Sequence, residues 1–401
     1  MSLKMVTVLE KGSDSKELGL LLVKKAKEKL GDLPIALAVL YVAPSYDSPA
    51  MVSAVRSKLN DVPLIGATTG GEFTNEKIAK DSAVLILLSK SDLYKFHVAI
   101  SGELNEHPEQ CVKNILDKIP PKDPAFPNRS AILLNDGLAG RGEDAVMAAG
   151  LLLGPEVAFA GGSAADYLQF EKTFVFCNDQ VLSNAMVMCI IDSKPPVHVA
   201  VDHGHIPVSK KMTVTKAKDN IVYEIDGKKA WDVWKDNLAE EAKNSQNLDV
   251  NQLVDASEIG AFLIRYEMGL FVKEGEYKIR VPLSKGEDDS LHFACSILEG
   301  TQFAIMKSNK ELQLESSKRA VNKALAEVDK SNLAGGFFFD CICRMIILDD
   351  RFSESINIFK ESLGKDVPFA GFETYGEICK DKHKISGYHN TTTTIMLLAR
   401  D

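Results

Sequence analysis

Near-continuous apolar runs recur along this chain at regular intervals. PIALAVLYV (34–42), SAVLILLS (82–89), SAILLND (130–136), SNAMVMCIID (183–192), GGFFFDCICR (335–344) and TTTTIMLLA (391–399) lack the alternation of a half-wet strand. They have the pattern of strands covered on both faces. Between them the apolar positions switch to a period near 3.6. Met51, Val55 and Leu59 share a stripe in SPAMVSAVRSKL (48–59). So do Val112, Ile115, Leu116 and Ile119 in HPEQCVKNILDKI, and Val321, Ala324, Leu325 and Val328 in LESSKRAVNKALAEV. These spacings predict amphipathic helices. SKELGLLLVKKAKEKL (15–30), GEDAVMAAGLLLG (142–154) and SESINIFKESL (353–363) complete the set.

In order, the elements spell helix, buried strand, helix, glycine loop, strand, written three times. Alternation of helices with doubly covered strands predicts an α/β protein with layered sheets covered by helices. Residues 205–310 break the rhythm. Asp226-Gly227 in EIDGKKAWDVW signals a hairpin turn, and the stretch from GAFLIRYEMG onward reads as strand-rich. The expected organisation is two pseudo-equivalent α/β halves, 1–204 and 205–401, the second carrying the β-rich segment 205–310.

The glycine loops hold the candidate chemistry. DVPLIGATTGGEF (61–73) is repeated almost residue for residue at DVPFAGFETYGEI (366–378), with Asp, Val, Pro, Gly, Thr, Gly and Glu in register; VAFAGGSAADY (157–167) is the middle copy. Each runs an apolar strand into Gly66, Gly161 or Gly371, then small or hydroxylated residues, then an acid: Glu72, Asp166 or Glu377. Glycine lets backbone N–H groups approach a ligand closely. The candidate ligand residues are therefore Thr69, Gly71 and Glu72; Gly162, Ser163 and Asp166; and Gly371, Thr374, Tyr375, Gly376 and Glu377. A carboxylate in each loop suits an ammonium or hydroxyl, and the Gly-Lys-Ser/Thr ending of a phosphate loop is missing. A purely structural strand-end glycine is the competing reading. The third loop, with two aromatic rings and two carboxylates, is favoured over the first as the ligand site.

Outside the loops, Asp136 stands at a strand end, where ligands of α/β sheets collect, although it also suits a turn cap. Asn390 follows Tyr388 and His389 just before the last strand. Cys341 and Arg344 in DCICR pair a thiol with a cation, which admits an enzyme acting on a small acyl or amino-acid-like substrate; burial of Cys341 is the preferred interpretation. Cys341, Cys343, Cys379, His383 and His389 lack ordinary zinc spacings. No metal, no cofactor and no nucleophile–base pair is expected, so binding outranks catalysis.

Composition narrows the partners. The 401 residues are 45% hydrophobic and 26% charged, with a formal net charge of -9. That balance excludes nucleic acid as a main partner, since Lys24-Lys25 and Lys210-Lys211 are too short to alter it. No run has the length of a membrane helix, and no signal peptide is evident. Seven cysteines sit mostly in apolar runs, as reduced, buried residues of a cytoplasmic protein do.

Taken in order, IGATTGGEF, NDGL with FAGGSAADY, EIDGKKAWDVW, DCICR, FAGFETYGEI and YHNTTTTIML resemble the FIST proteins, with residues 30–200 similar to the FIST N region and 215–395 to FIST C. The resemblance covers nearly the whole chain. It implies a sensory module in signal transduction that binds a small polar metabolite, amino acids among the candidates. Such modules are fused to histidine kinase, chemoreceptor or cyclic-dinucleotide domains in prokaryotes and to an F-box in eukaryotes. No such output domain is expected in these 401 residues, so the expectation is signalling by association with a protein partner, or a different role altogether, with a homodimer as an open arrangement.

Overall fold

The computed structural model describes residues 1–381 and 387–401. Its central feature is one sheet plan used three times. In the first sheet the order is Met5–Glu10, Ala83–Ser89, Ile35–Val42, Leu64–Thr68, Val175–Cys177 and Gln180–Leu182. The second runs Tyr94–Ser101, Met186–Ser193, Asn128–Asn135, Ala158–Ser163, Glu377–Lys380 and Tyr388–His389. The third runs His198–His203, Thr392–Ala399, Leu333–Cys341, Phe369–Thr374, Glu72–Thr74 and Ile78–Ala79. In each, the third and fourth strands pair in parallel and the rest are antiparallel. The parallel pair is the one joined through a helix, as a crossover requires.

The last two strands of every sheet come from another unit. The hairpin after the first loop joins the third sheet, the one after the second loop joins the first, and the one after the third loop joins the second. Each loop is therefore the point where the chain leaves its own sheet for its neighbour's, and the three exchanges close a ring.

Residue alternation explains why the strands read as unbroken apolar runs. Val39, Tyr41, Ile132, Leu134, Phe337 and Phe339 point into one core shared by all three sheets. Their neighbours face outward to helices. Leu40 packs with Leu22 and Val55 from helices Ser15–Leu30 and Ser48–Leu59. Leu133 packs with Val112 and Val146, and Phe338 with Val321 and Phe359. Burying each such side chain contributes about 1.5–3 kcal/mol relative to exposure.

The recurring loop glycine has a packing cause. A Cβ on Gly66 would lie 2.0 Å from the Leu40 carbonyl oxygen, on Gly161 1.8 Å from that of Leu133, and on Gly371 2.3 Å from that of Phe338. In all three cases the oxygen belongs to the registered partner on the parallel strand. Only glycine lets the strands come this close.

The segment beyond His203 builds a separate nine-stranded sheet around Trp231, Trp234, Phe262 and Phe303. The Asp226-Gly227 turn is present, with φ of 48° and 76°. The expectation of strand for GAFLIR is corrected: Ala256–Arg265 is a helix. Asp255 caps it, accepting from the N–H of Ser257 at 2.8 Å and of Glu258 at 3.3 Å, and Ile259, Phe262 and Leu263 form its buried stripe.

Candidate functional site

Two of the three loops build the same device. The Thr374 hydroxyl donates to Glu377 Oε1 at 2.5 Å, and the Thr69 hydroxyl donates to Glu72 Oε1. The second oxygen of each acid is bound by the segment that opens the following strand. Ser82 Oγ donates to Glu72 Oε2 at 2.5 Å; Thr392 donates to Glu377 Oε2 from its N–H at 3.0 Å and its hydroxyl at 2.9 Å. Both carboxyls are fully buried. Burial pushes Glu72 up to about 7 and Glu377 up to about 8, and the hydroxyl donors only partly offset it.

The middle loop differs. Asp166 accepts from the N–H groups of Phe170 at 3.0 Å, Glu171 at 2.8 Å and Lys172 at 3.0 Å, and from the Tyr375 hydroxyl. Burial works to raise this carboxyl, but the Tyr375 hydroxyl and the three N–H donors outweigh it and hold it below its ordinary range. Ser163 instead donates to Asn135 Oδ1 at 3.0 Å and lies 3.0 Å from the Tyr388 hydroxyl.

Glu373 stands between the first and third loops. Its backbone N–H donates to the Gly71 carbonyl at 2.9 Å, and its carbonyl accepts from the Gly70 N–H at 2.8 Å. The side chain fills the space over Gly71, where a Cβ would meet the carboxyl carbon at 2.8 Å. Its Oε2 is buried with no hydrogen-bond partner. Burial, then the charges of Asp340 and Glu72, raise it well above the carboxylate range, opposed only by Lys80. Glu377 also feels Asp340, and Glu267 feels Glu377. Five buried acids thus follow one another through the loop junction. Among the described residues, Arg344 on Asp340 is the cation that ion-pairs within this chain of acids, and the His205 ring stands 3.5 Å from Glu267. Burial holds that imidazole well below its usual range, so it is neutral. Both of its ring nitrogens and Glu267 Oε2 lack partners.

The β-rich segment roofs the loops. Val281 packs on Cys341, Ile342 and Cys343, with Ile264, Met345 and Tyr375 alongside, and Thr391 donates to Glu267 at 2.8 Å across the junction. A surface groove of about 590 Å³ is lined by Leu30, Gly31, Leu59 and Asn60 on the helix side of the first sheet.

Thus Thr69, Gly71 and Glu72 adjoin Glu373, and Asp340 links Glu373 to the Thr374–Glu377 pair, whereas Gly371 packs on the Phe338 carbonyl and the Phe73 ring. Gly162 backs onto Thr374, whose Cγ2 leaves 2.5 Å for a Cβ there, and Gly376 backs onto the Tyr388 hydroxyl. Tyr375 turns away, its hydroxyl engaged by Asp166 and by the Leu168 N–H at 2.7 Å, its ring stacked on Phe170 at 5.2 Å. Asp136 ties a turn, accepting from the Leu138 N–H at 2.9 Å, the Thr173 hydroxyl and the Asn184 N–H. Asn390 donates to the His389 carbonyl at 3.1 Å and accepts from the Cys295 thiol at 3.5 Å.

Arg344 serves the framework. Its guanidinium donates to Asp340 at 2.8 Å, Ser316 at 2.7 Å, Ser317 at 2.7 Å and the Gln313 side chain. Cys341 is buried, and burial together with Cys343 pushes its thiol far up, the opposite of an activated nucleophile. All seven cysteines are buried and unbridged. Among the described residues no three His, Cys, Asp or Glu side chains are grouped to hold a metal; His383 lies outside the described residues, and His389 Nε2 sits 3.1 Å from the Cys379 carbonyl.

Sequence reasoning missed Glu267, Asp340 and His205 as members of the loop junction. An acid inside an otherwise apolar strand, as in YEMGLF, was the available signal for Glu267; His205 left none.

The FIST N domain matches residues 36–228 and the FIST C domain residues 230–380. The chain belongs to the FIST family, whose domains are associated with sensory roles in signal transduction. Among curated proteins, an uncharacterized protein of Methanocaldococcus jannaschii is 29% identical over 300 residues, 73% of this chain and 56% of that protein's length. The match thus spans little more than half of the relative. Two solved structures align over 100% of both chains at a TM-score of 0.33. One, titled as cyanuric acid hydrolase and its evolutionary innovation by structural concatenation, is 6% identical; the other, the corresponding hydrolase of A. caulinodans, is 7% identical. No helix among the described residues is long and apolar enough to cross a membrane.

Proposed function

We propose that this protein is a sensory module that binds a small polar metabolite through its ammonium group, with amino acids as the leading class, at the junction of the first and third glycine loops. The observation carrying this reading is the set Glu72, Glu373 and Glu377. All three are buried, and none forms an ion pair with a lysine or arginine among the described residues. A buried acid without a counter-charge is held protonated at a cost in free energy. An ammonium entering the junction supplies the missing charge and three donors for carboxyl oxygens. Because Val281 and Ile264 cover the loops, entry displaces the β-rich segment, and that displacement is what a signalling partner reads.

Thermal unfolding in the presence of single amino acids and simple amines tests the proposal. A ligand at about 100 times its Kd adds about 2.7 kcal/mol, and for units of roughly 200 residues the midpoint then rises by several degrees. The rise should vanish in the Glu72→Gln/Glu377→Gln double variant. No rise with any ammonium compound, or a rise that the double variant keeps, overturns the assignment.

A further inference from the structure

Residues 165–172 of the middle loop tie the first loop to the third. The Ala165 N–H donates to the Thr68 carbonyl at 3.0 Å. The Tyr167 hydroxyl accepts from the Asp81 N–H at 2.7 Å, beside Ser82, whose own hydroxyl holds Glu72. The Leu168 N–H then donates to the hydroxyl of Tyr375, two residues beyond Glu373, and Phe170 stacks on the same ring. The segment thus bridges the two loops where the Gly70 N–H meets the Glu373 carbonyl and the Glu373 side chain fills the space over Gly71. Residues 168–172 are exposed, whereas Glu72 and Glu373 are 1% and 3% exposed. Burial, and then the charges of Glu72, Asp81 and Glu373, push the Tyr167 phenol up, as expected of a ring that neighbours both acids.

This strap is strained. Tyr167, Leu168 and Phe170 have φ of 57°, 65° and 54°, a left-handed conformation that bulky side chains avoid and that glycine or asparagine adopts more readily. The Asp166 carboxylate holds it down, accepting from the N–H groups of Phe170, Glu171 and Lys172 and from the Tyr375 hydroxyl. Opening breaks these bonds but releases the backbone strain, which places the strap at the low-stability end of the fold. We infer that residues 166–172 open locally as a unit and control the passage of small solutes to Glu72 and Glu373, with Asp166 as the latch and Tyr167 as a bolt on the first loop. The β-rich segment closes the other end, where Thr391 meets Glu267 and Thr392 meets Glu377. That the solutes are ammonium compounds rests on the function proposed above; the opening of the strap does not.

The test is carboxyl labelling of the full chain, without ligand, by a water-soluble carbodiimide and glycinamide in mildly acidic buffer. Peptide mass spectrometry locates the adducts. Glu72 and Glu373 should be modified slowly in the natural chain. Asp166→Asn and Tyr167→Phe should speed modification of both roughly ten-fold, as loss of a closing bond shifts a local opening equilibrium. Leu168→Asn, which suits a φ of 65°, should slow it, an opposite response that a merely structural turn does not produce. Glu377 should stay unmodified throughout, because only global unfolding exposes it together with the other two. Modification of Glu72 and Glu373 that is absent, is indifferent to all three substitutions, or rises in step with Glu377 overturns the strap. Labelling that follows the expected pattern, while no amine or amino acid shifts the unfolding midpoint, supports the strap and overturns only the ammonium reading.

Discussion

Thr374 donates its hydroxyl to the Glu377 carboxyl at 2.5 Å across a three-residue step, and Thr69 stands in the same relation to Glu72. The repeat in the sequence is thus a repeat of a buried hydroxyl–carboxyl pair. Each pair sits where the chain crosses from its own sheet to the next, so the geometry that exchanges strands also gathers acids.

Those acids make stability fall as pH rises. Glu377 faces Thr374, Thr392 and the charge of Asp340; Glu72 faces Thr69, Ser82 and the charge of Asp81. Both titrate in the folded state near 7 to 8 and from 4.5 when unfolded. The folded state then holds protons that the unfolded chain has released, so their contribution is complete below about pH 4.5 and is lost as pH climbs through 7 and 8. Each group contributes a slope of up to about 1.4 kcal/mol per pH unit in that window. Thermal midpoints measured from pH 5 to 9 without ligand should decline, and Glu377→Gln should flatten the decline. A midpoint that rises across this range would contradict the buried, protonated assignment.

The three loop glycines should respond alike. Alanine at Gly66, Gly161 or Gly371 drives a methyl into a strand carbonyl, and overpacking of this kind costs about 1–3 kcal/mol or more. Gly140→Ala is the comparison: its φ is 77° but nothing lies within 4 Å, leaving a backbone cost of about 1 kcal/mol. Chemical denaturation of the four variants measures the difference. An innocuous Gly371→Ala would mean that the glycine persists for the ligand rather than for packing.

Arg344→Met should destabilise the protein by about 3–5 kcal/mol, because it strands Asp340 in the interior. Replacing Asp340 by Leu in the same chain should recover much of the loss, a coupling that a double-mutant cycle reads directly. Were Arg344 a ligand contact, the single variant would keep its stability and lose only affinity.

Tyr375→Phe removes a hydroxyl that joins Asp166 to the Leu168 N–H. The cost should be about 1 kcal/mol, with faster proteolysis around Phe170, which is 56% exposed. Affinity for an ammonium ligand should barely change. A large loss of affinity with intact proteolytic resistance would return Tyr375 to the binding site.

Most of the α/β plan was legible in the chain because doubly covered strands and amphipathic helices leave opposite periodicities. Helices Ser15–Leu30 and Ser48–Leu59 have the predicted limits, since Asp14 and Asp47 cap them and Leu30 and Leu59 close their buried stripes. The short hairpins after each loop were not legible. Glu72–Thr74 and Glu377–Lys380 are too brief to show a period, and their partners lie in another unit. The Ala256–Arg265 helix was hidden by its Phe, Leu and Ile content; the cap at Asp255 was the overlooked sign. At the site, the loop acids were visible as repeats, whereas Asp340, Glu267 and His205 gather only when sheet three meets the β-rich segment. Tyr375 was favoured for its hydroxyl, and only the fold reveals that Asp166 has already claimed it.

Proton release on binding tests the central claim most directly. At pH 7 Glu377, titrating near 8, is largely protonated, and an ammonium requires it as a carboxylate. Titration calorimetry with the amino acid that gives the largest thermal shift should therefore show heats that vary with the ionisation enthalpy of the buffer, in the sense of protons leaving the protein. Glu377→Gln should lower both the proton count and the affinity. Saturable binding with no proton released, or with release and affinity unchanged in Glu377→Gln, would contradict the account.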